Sequence, residues 1–205
     1  MDKRHIFLTS NGLTEEIKQK FFEVLKKNPQ EIKILFIPTA GIESDGARES
    51  FAIGLYELLA MGISYENVLV YNLELLLSKG YERTYSSYFH EVPVPAKVLN
   101  AEELLHFDAV LVGGGDITVL CREMVRTGFD ESLKQAIEQG LVYVGISTGS
   151  MYAAGNLEEG LHLINNSVIP HWNGKKITDL PRGNGDILLA DGQTVTIDES
   201  GVKLA

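Results

Sequence analysis

Cysteine is almost absent from this chain: among 205 residues there is one, Cys121. A single thiol excludes an internal disulfide and a multi-cysteine metal site, and its apolar neighbours in a helical stretch mark it as a buried structural group. Long apolar runs are missing too, and no stretch is sufficient to span a bilayer. The opening Met-Asp-Lys-Arg-His leads straight into a short strand instead of the apolar region of a secretory signal, so a cytoplasmic location is expected. Positive charge is scarce: 18 Lys and Arg face 28 Asp and Glu, a net charge of -10. With no dense basic stripe, most of the surface repels phosphates, which argues against a nucleic-acid or anionic-membrane partner. There is no internal repeat, low-complexity tract or linker. Neither Gly-x-Gly-x-x-Gly nor a Lys-bearing P-loop is present, which disfavours a phosphate cradle.

What remains is ordinary for a globular protein, 44% hydrophobic and 22% charged residues, and residues 1–205 are read as one domain with a sizeable core. Short β-rich runs alternate with longer helical patterns through the first three quarters. That order predicts a mostly parallel sheet covered on both faces, a three-layer α/β sandwich. Strands are expected at His5 to Leu8, Ile34 to Ile37, Val68 to Tyr71, Ala109 to Val112 and Val142 to Val144. Helices are expected at Thr14 to Lys27, with Thr14 as N-cap, at Ser44 to Met61, in a short piece opened by Asn100 or Ala101, at Ile117 to Arg126 and at Asp130 to Gln139. Gly80 to Pro95, rich in Tyr, reads as an irregular excursion or edge element. Asp186 to Ile197 reads as two strands around the Asp191-Gly192 turn, a C-terminal antiparallel hairpin.

The strongest local signal is Gly145-Ile146-Ser147-Thr148-Gly149 at the end of an apolar run. A strand that enters a helix through so short a segment bends sharply, and flanking glycines let the backbones crowd. The serine is then held at the carboxyl edge of a sheet, where the first N–H groups of the next helix face any developing oxyanion. A nucleophilic serine needs a base. Of the five histidines, His5, His90, His106 and His162 lie at unremarkable positions. His171 follows Val168-Ile169-Pro170 and precedes Trp172-Asn173-Gly174, a strand end downstream of the serine. Gly113-Gly114-Gly115-Asp116 after the Ala109 to Val112 strand is a second candidate, as a turn with free N–H groups or as a plain turn with Asp116 as N-cap.

Taken together, Ile37-Pro38-Thr39-Ala40, Gly113-Gly114-Gly115-Asp116, Gly145 to Ser150 and Ile169-Pro170-His171-Trp172 occur in an order that resembles the serine peptidases of the peptidase E type, peptidase family S51, which includes aspartyl dipeptidases and cyanophycinase. The resemblance implies a class I glutamine amidotransferase-like fold, Ser147 as nucleophile, His171 as general base, and the N–H groups of Gly115 and Thr148 as oxyanion hole. It implies no metal and no organic cofactor, a small peptide as substrate, and a monomer or homodimer.

Three departures accompany it. Thr148 stands where the family usually has Ala, and Asp116 where Asn is commoner. The Asn-Asp pair that supplies the family's third catalytic residue between Ser and His is absent. Glu158 and Glu159, just past the elbow helix, are the nearest substitutes for orienting the imidazole. For an aspartyl substrate an Arg fork is the natural partner, and Arg182 is the candidate by position, with Lys175 and Lys176 as others. Two further readings stand beside the peptidase: a noncatalytic member of the same fold that binds a small molecule or protein, motivated by the missing Asp and by Asp116, and an esterase of the α/β-hydrolase kind. A glutamine amidotransferase is disfavoured because its elbow needs a Cys.

Overall fold

The computed structural model describes residues 4–42, 47–76, 97–181 and 183–204. The Gly80 to Pro95 excursion and Arg182 lie outside the described residues. Among those described, the strands are β1 (Ile6–Thr9), β2 (Ile34–Ile37), β3 (Val68–Val70), β4 (Ala109–Val112), β5 (Val142–Ile146), β6 (Val168–Ile169), β7 (Ile187–Leu188), β8 (Thr194–Asp198) and β9 (Gly201–Leu204). The helices are α1 (Glu15–Leu25), α2 (Ala47–Ala60), α3 (Ala101–Leu104), α4 (Ile117–Thr127), α5 (Phe129–Glu138) and α6 (Thr148–Ala153). A seven-stranded sheet runs in the order β3-β2-β4-β5-β1-β8-β9. Its pairings from β3 to β1 are parallel, and β8 and β9 are added antiparallel at the β1 side.

The central strands are apolar without interruption because both faces of the sheet are covered. Their side chains alternate between two cores with the period of a strand. Leu35, Ile37, Val110, Val112 and Tyr143 face one core, which α4, α5 and α6 cover with residues such as Leu120, Phe129 and Ala153. Ile34, Phe36, Ala109, Leu111 and Val144 face the other, which includes Ile17 and Phe21 of α1 and Leu58 of α2. The expected three-layer sandwich is therefore present. Helix starts follow their side-chain signals: Thr14 accepts from Ile17 N–H to open α1, and Asn100 forms a reciprocal capping box with Glu103 to open α3.

The C-terminal hairpin exists, but its strands differ from those expected. It is β8 with β9, joined at Glu199-Ser200, with Asp198 paired to Gly201. The Asp191-Gly192 turn instead separates two sheets: β7 pairs in parallel with β6 in a small second sheet, whereas β8 joins the main one beside β1. Ile187 and Leu188 are drawn to β6 because Val168 and Ile187 both bury their side chains in the core beneath it.

The turn from β5 into α6 is fixed by buried polar contacts. Tyr143, fully buried, donates its hydroxyl to Gly149 O at 2.8 Å. Ser150, also fully buried, shares its hydroxyl between Gly145 O at 2.7 Å and Thr9 O at 2.8 Å. Because that phenol has no water to turn to, Tyr143→Phe is expected to cost about 1 kcal/mol of stability. The check is a lower urea midpoint at an unchanged m value.

Candidate active site

Ser147 lies between β5 and α6 with φ 50° and ψ -107°, a conformation sparsely populated by any residue with a side chain. What holds it there is the close approach on either side. A Cβ on Gly145 would sit 2.7 Å from Gly149 C and O, and a Cβ on Gly149 would sit 2.2 Å from Val112 O. The two glycines therefore let α6 begin directly against β4 and β5, and the chain between them has one way to turn. Ser147 N–H donates to Thr9 O at 2.9 Å, which ties the elbow to β1 as well.

His171 reaches the serine from the small sheet. Its Nε2 lies 2.9 Å from Ser147 Oγ, and its Nδ1 lies 3.0 Å from Asp191 Oδ1. A carboxylate can only accept, so Nδ1 carries the proton and Nε2 is left to accept from the serine hydroxyl. The pairing of β6 with β7 produces this juxtaposition. Val168 is level with Ile187 and Ile169 with Leu188, Leu189 N–H donates to Ile169 O at 2.9 Å, and Trp172 N–H donates to Leu189 O at 3.2 Å. His171 and Asp191 are thus the residues that the two chains present just beyond their strands.

Asp191, not Glu158 or Glu159, is the carboxylate on the imidazole. Glu159 lines a separate groove of about 560 Å³ beside Cys121 and Arg122. The main-chain carbonyl of Glu158 accepts from His162 Nε2 at 2.9 Å, which belongs to the turn that follows α6. Both glutamates precede β6, and the chain has yet to arrive at His171. Asp191 is marked in the sequence only by Asp-Gly, a pair that equally signals a hairpin turn.

Ser10, at the end of β1, is a residue that sequence reasoning missed altogether. It is fully buried. Its hydroxyl donates to Asp191 Oδ1 at 2.7 Å and accepts from His171 N–H at 2.7 Å. One side chain therefore fixes both the backbone of the histidine and the carboxylate behind it. The Ser10 hydroxyl above all holds the Asp191 carboxyl below the usual carboxylate range, with burial opposing it and the His171 ring adding to it.

The glycine turn lies opposite. Gly115, at φ 140°, would carry a Cβ 2.0 Å from Ala40 O, so only glycine fits there. Its N–H, expected as a free oxyanion donor, is directed to Thr148 Oγ1 at 3.2 Å, while that hydroxyl donates back to Gly115 O at 2.5 Å. The Thr side chain at the elbow thus locks the turn onto α6. Gly113 N–H donates to Ile37 O and Asp116 N–H to Ala40 O, at 3.0 and 2.7 Å. Gly114 is left with the turn's unengaged N–H among the described residues, beside Ser147: a Cβ there would lie 3.7 Å from Ser147 Oγ. Asp116 points away as the N-cap of α4, accepting from Thr118 and Val119 N–H at 2.7 and 3.3 Å. Those amides hold its carboxyl below the usual range.

Cys121, half-buried on α4, has its thiol pushed up to about 11 by burial and by the charge of Glu159, which leaves it protonated and unreactive near neutrality. Among the described residues no cluster of His, Cys, Asp and Glu is arranged to hold a metal ion, and no helix is long and apolar enough to cross a membrane.

Removing the Ser10 hydroxyl strips Asp191 of the larger of its two stabilising hydrogen bonds. A carboxyl with a lowered folded pKa adds stability above its unfolded pKa, and that stability is lost as pH falls through the folded value. Ser10→Ala is expected to move the Asp191 titration up toward the ordinary carboxylate range and to shrink that acid-side contribution. Carbon-detected NMR titration of the Asp191 carboxyl measures the shift directly.

A model of peptidase family S51 matches residues 87–205. Among curated proteins, the chain is 27% identical over 88 residues to an uncharacterized peptidase of Pasteurella multocida (strain Pm70), a stretch covering 35% of this chain and 42% of that one. It is 46% identical over 50 residues to peptidase E of Streptomyces coelicolor, covering 24% of this chain and 21% of that one. The matched stretches thus span less than half the length of either relative. Among solved structures, a candidate peptidase E protein from Listeria monocytogenes EGD-e superposes with a TM-score of 0.64 at 22% identity, over 98% of both chains. That likeness shows the architecture, a class I glutamine amidotransferase-like fold with the C-terminal hairpin added to the sheet.

Proposed function

The chain belongs to peptidase family S51, and from that premise we propose that it is a serine peptidase that hydrolyses small peptides through an acyl-enzyme on Ser147. The observation that carries this reading is the unbroken relay from Ser147 Oγ through the His171 ring to Asp191, at 2.9 and 3.0 Å.

In the proposed reaction, Ser147 Oγ attacks the peptide carbonyl and passes its proton to His171 Nε2. Asp191 keeps the Nδ1 proton in place and stabilises the imidazolium that forms. The negative oxygen of the tetrahedral intermediate is taken up by the N–H of Thr148, at the start of α6, and by the N–H of Gly114. Collapse of the intermediate expels the amine, which leaves with the proton from His171, and the acyl group stays on Ser147 as an ester. Water then attacks that ester with His171 as base, and the serine is released with its proton restored.

A noncatalytic role was motivated by the missing acid and by an anion at Asp116. The contact of Asp191 with the His171 ring and the use of Asp116 as a helix cap weigh against that reading. Of the candidates for holding an N-terminal aspartate, Arg182 lies outside the described residues, and neither Lys175 nor Lys176 is among the described lining of the cavity beside Ser147.

A fluorophosphonate probe is expected to label the wild type at Ser147 and to leave Ser147→Ala unmarked. Equal labelling of the two proteins removes the assigned nucleophile. On a dipeptide panel, Asp191→Asn should lower kcat by about 10³- to 10⁴-fold, because the amide favours the wrong imidazole tautomer. Glu158→Gln and Glu159→Gln should stay within about twofold of wild type. Steady-state kinetics on the three variants discriminates the acid.

A further inference from the structure

Beside Ser147 and His171 lies a cavity of about 180 Å³ whose far wall is formed by Phe36, Ile53, Gly54 and Glu57. Gly54 and Glu57 are three apart on α2 and so share one face of the helix. Gly54 is packed onto the ring of Phe36, with space for no Cβ, since that atom would sit 2.7 Å from Phe36 Cζ. Phe36 is itself stacked on Phe51, with centroids 5.9 Å apart and planes at 19°. This packing draws α2 close enough to bring its glutamate to the serine's cavity.

Glu57 is the one carboxylate among the described residues of that lining, and no Lys or Arg accompanies it. Its Oε1 accepts from Leu13 N–H at 3.2 Å. Its Oε2 is buried and has no hydrogen-bond partner among the described residues. Lys18 contributes only a remote charge, because its Nζ is engaged by Glu15 at 2.7 Å. Burial pushes the Glu57 carboxyl above its ordinary range, opposed in part by the Leu13 amide and then by Lys18. A buried acceptor with no partner is costly. Turned toward the cavity that its side chain lines, the carboxyl would gain a charge-assisted hydrogen bond from a cationic donor delivered by a ligand.

We propose that Glu57 is a specificity residue that receives a protonated primary amine of the substrate residue whose carbonyl Ser147 attacks. The inference rests on the serine-peptidase reading and deepens it. The amine is either the α-ammonium of an N-terminal residue or the side-chain ammonium of a lysine. In both cases Glu57 is the carboxyl that the ammonium meets in the described lining beside Ser147 and His171.

Binding measured without turnover separates this proposal from the catalytic one. In the Ser147→Ala background, calorimetry with Ala-Ala and acetyl-Ala-Ala reads the α-amine, and acetyl-Lys-Ala against acetyl-norleucyl-Ala reads the side chain. One pair is expected to differ at least tenfold in Kd in favour of the amine-bearing member, and which pair does so identifies the source of the amine. Adding Glu57→Gln, which keeps the acceptor for Leu13 N–H, should bring that ratio to within about twofold of one. A ratio that survives Glu57→Gln, or four ligands that bind alike or not at all, overturns the role of Glu57. Fluorophosphonate labelling of the protein with Ser147 intact is independent of these ligands: its failure overturns the serine-peptidase reading and leaves the calorimetric result to stand on its own.

Discussion

The site depends on one steric constraint, the contact of α6 with the strands that feed it. Gly149 begins the helix where a Cβ would meet Val112 O at 2.2 Å, and Gly145 leaves the strand where a Cβ would meet Gly149 at 2.7 Å. With both glycines present the backbone passes between β4 and β5 with no slack, and Ser147 is forced to a positive φ. The strain of that conformation is of order 1–3 kcal/mol. It is offset by buried bonds that require the same geometry, from Tyr143 and Ser150 to the elbow carbonyls and from Ser147 N–H to Thr9 O. A helix packed one residue later would lose all three.

The remainder of the relay is built differently. His171 and Asp191 are more than half exposed, at 53% and 56% of their side-chain surface. An ion pair so open to water contributes little to stability, so the pair is better understood as a device for setting a tautomer than as one for holding the fold. Its precision comes from beneath. Ser10 is fully buried at the end of β1, the strand that lies between β5 and β8, and its hydroxyl touches both members of the pair. The main sheet therefore positions the histidine twice, once through Ser10 and once through the serine itself. The small β6-β7 sheet needs only to deliver the two residues to the correct height.

The sequence disclosed these parts unequally, for physical reasons. Ser147 and His171 were legible because a strand-to-helix elbow requires glycines at fixed offsets, and because a Pro-His step after a β-branched run marks a strand end. The sandwich was legible because uninterrupted apolar strands alternating with amphipathic helices have few other solutions. Asp191 was not, since its meaning depends on β7 pairing with β6 and not with β8, a choice made by burial of Ile187 that no local pattern announces. Ser10 was hidden for a similar reason: its partners are 161 and 181 positions away. The role of the Thr148 side chain was hidden in the same way: its hydroxyl engages both the N–H and the carbonyl of Gly115, 33 positions away.

That last contact bears on the proposed oxyanion hole. A turn of three glycines is pliable in isolation, and pliable donors reorganise when charge develops, which forfeits much of their electrostatic benefit. Here the turn is fastened on three sides: Gly113 to Ile37, Asp116 to Ala40, and Gly115 to the Thr148 side chain. The amide left over, that of Gly114, is thereby fixed relative to the amide of Thr148, because the residue that carries one of the two proposed donors also clamps the turn that carries the other. Preorganisation on this side thus arises from a side chain at the elbow, as on the opposite side it arises from Ser10. In both places a buried hydroxyl, able to donate and accept at once, joins two chain segments that the sheet alone would leave independent.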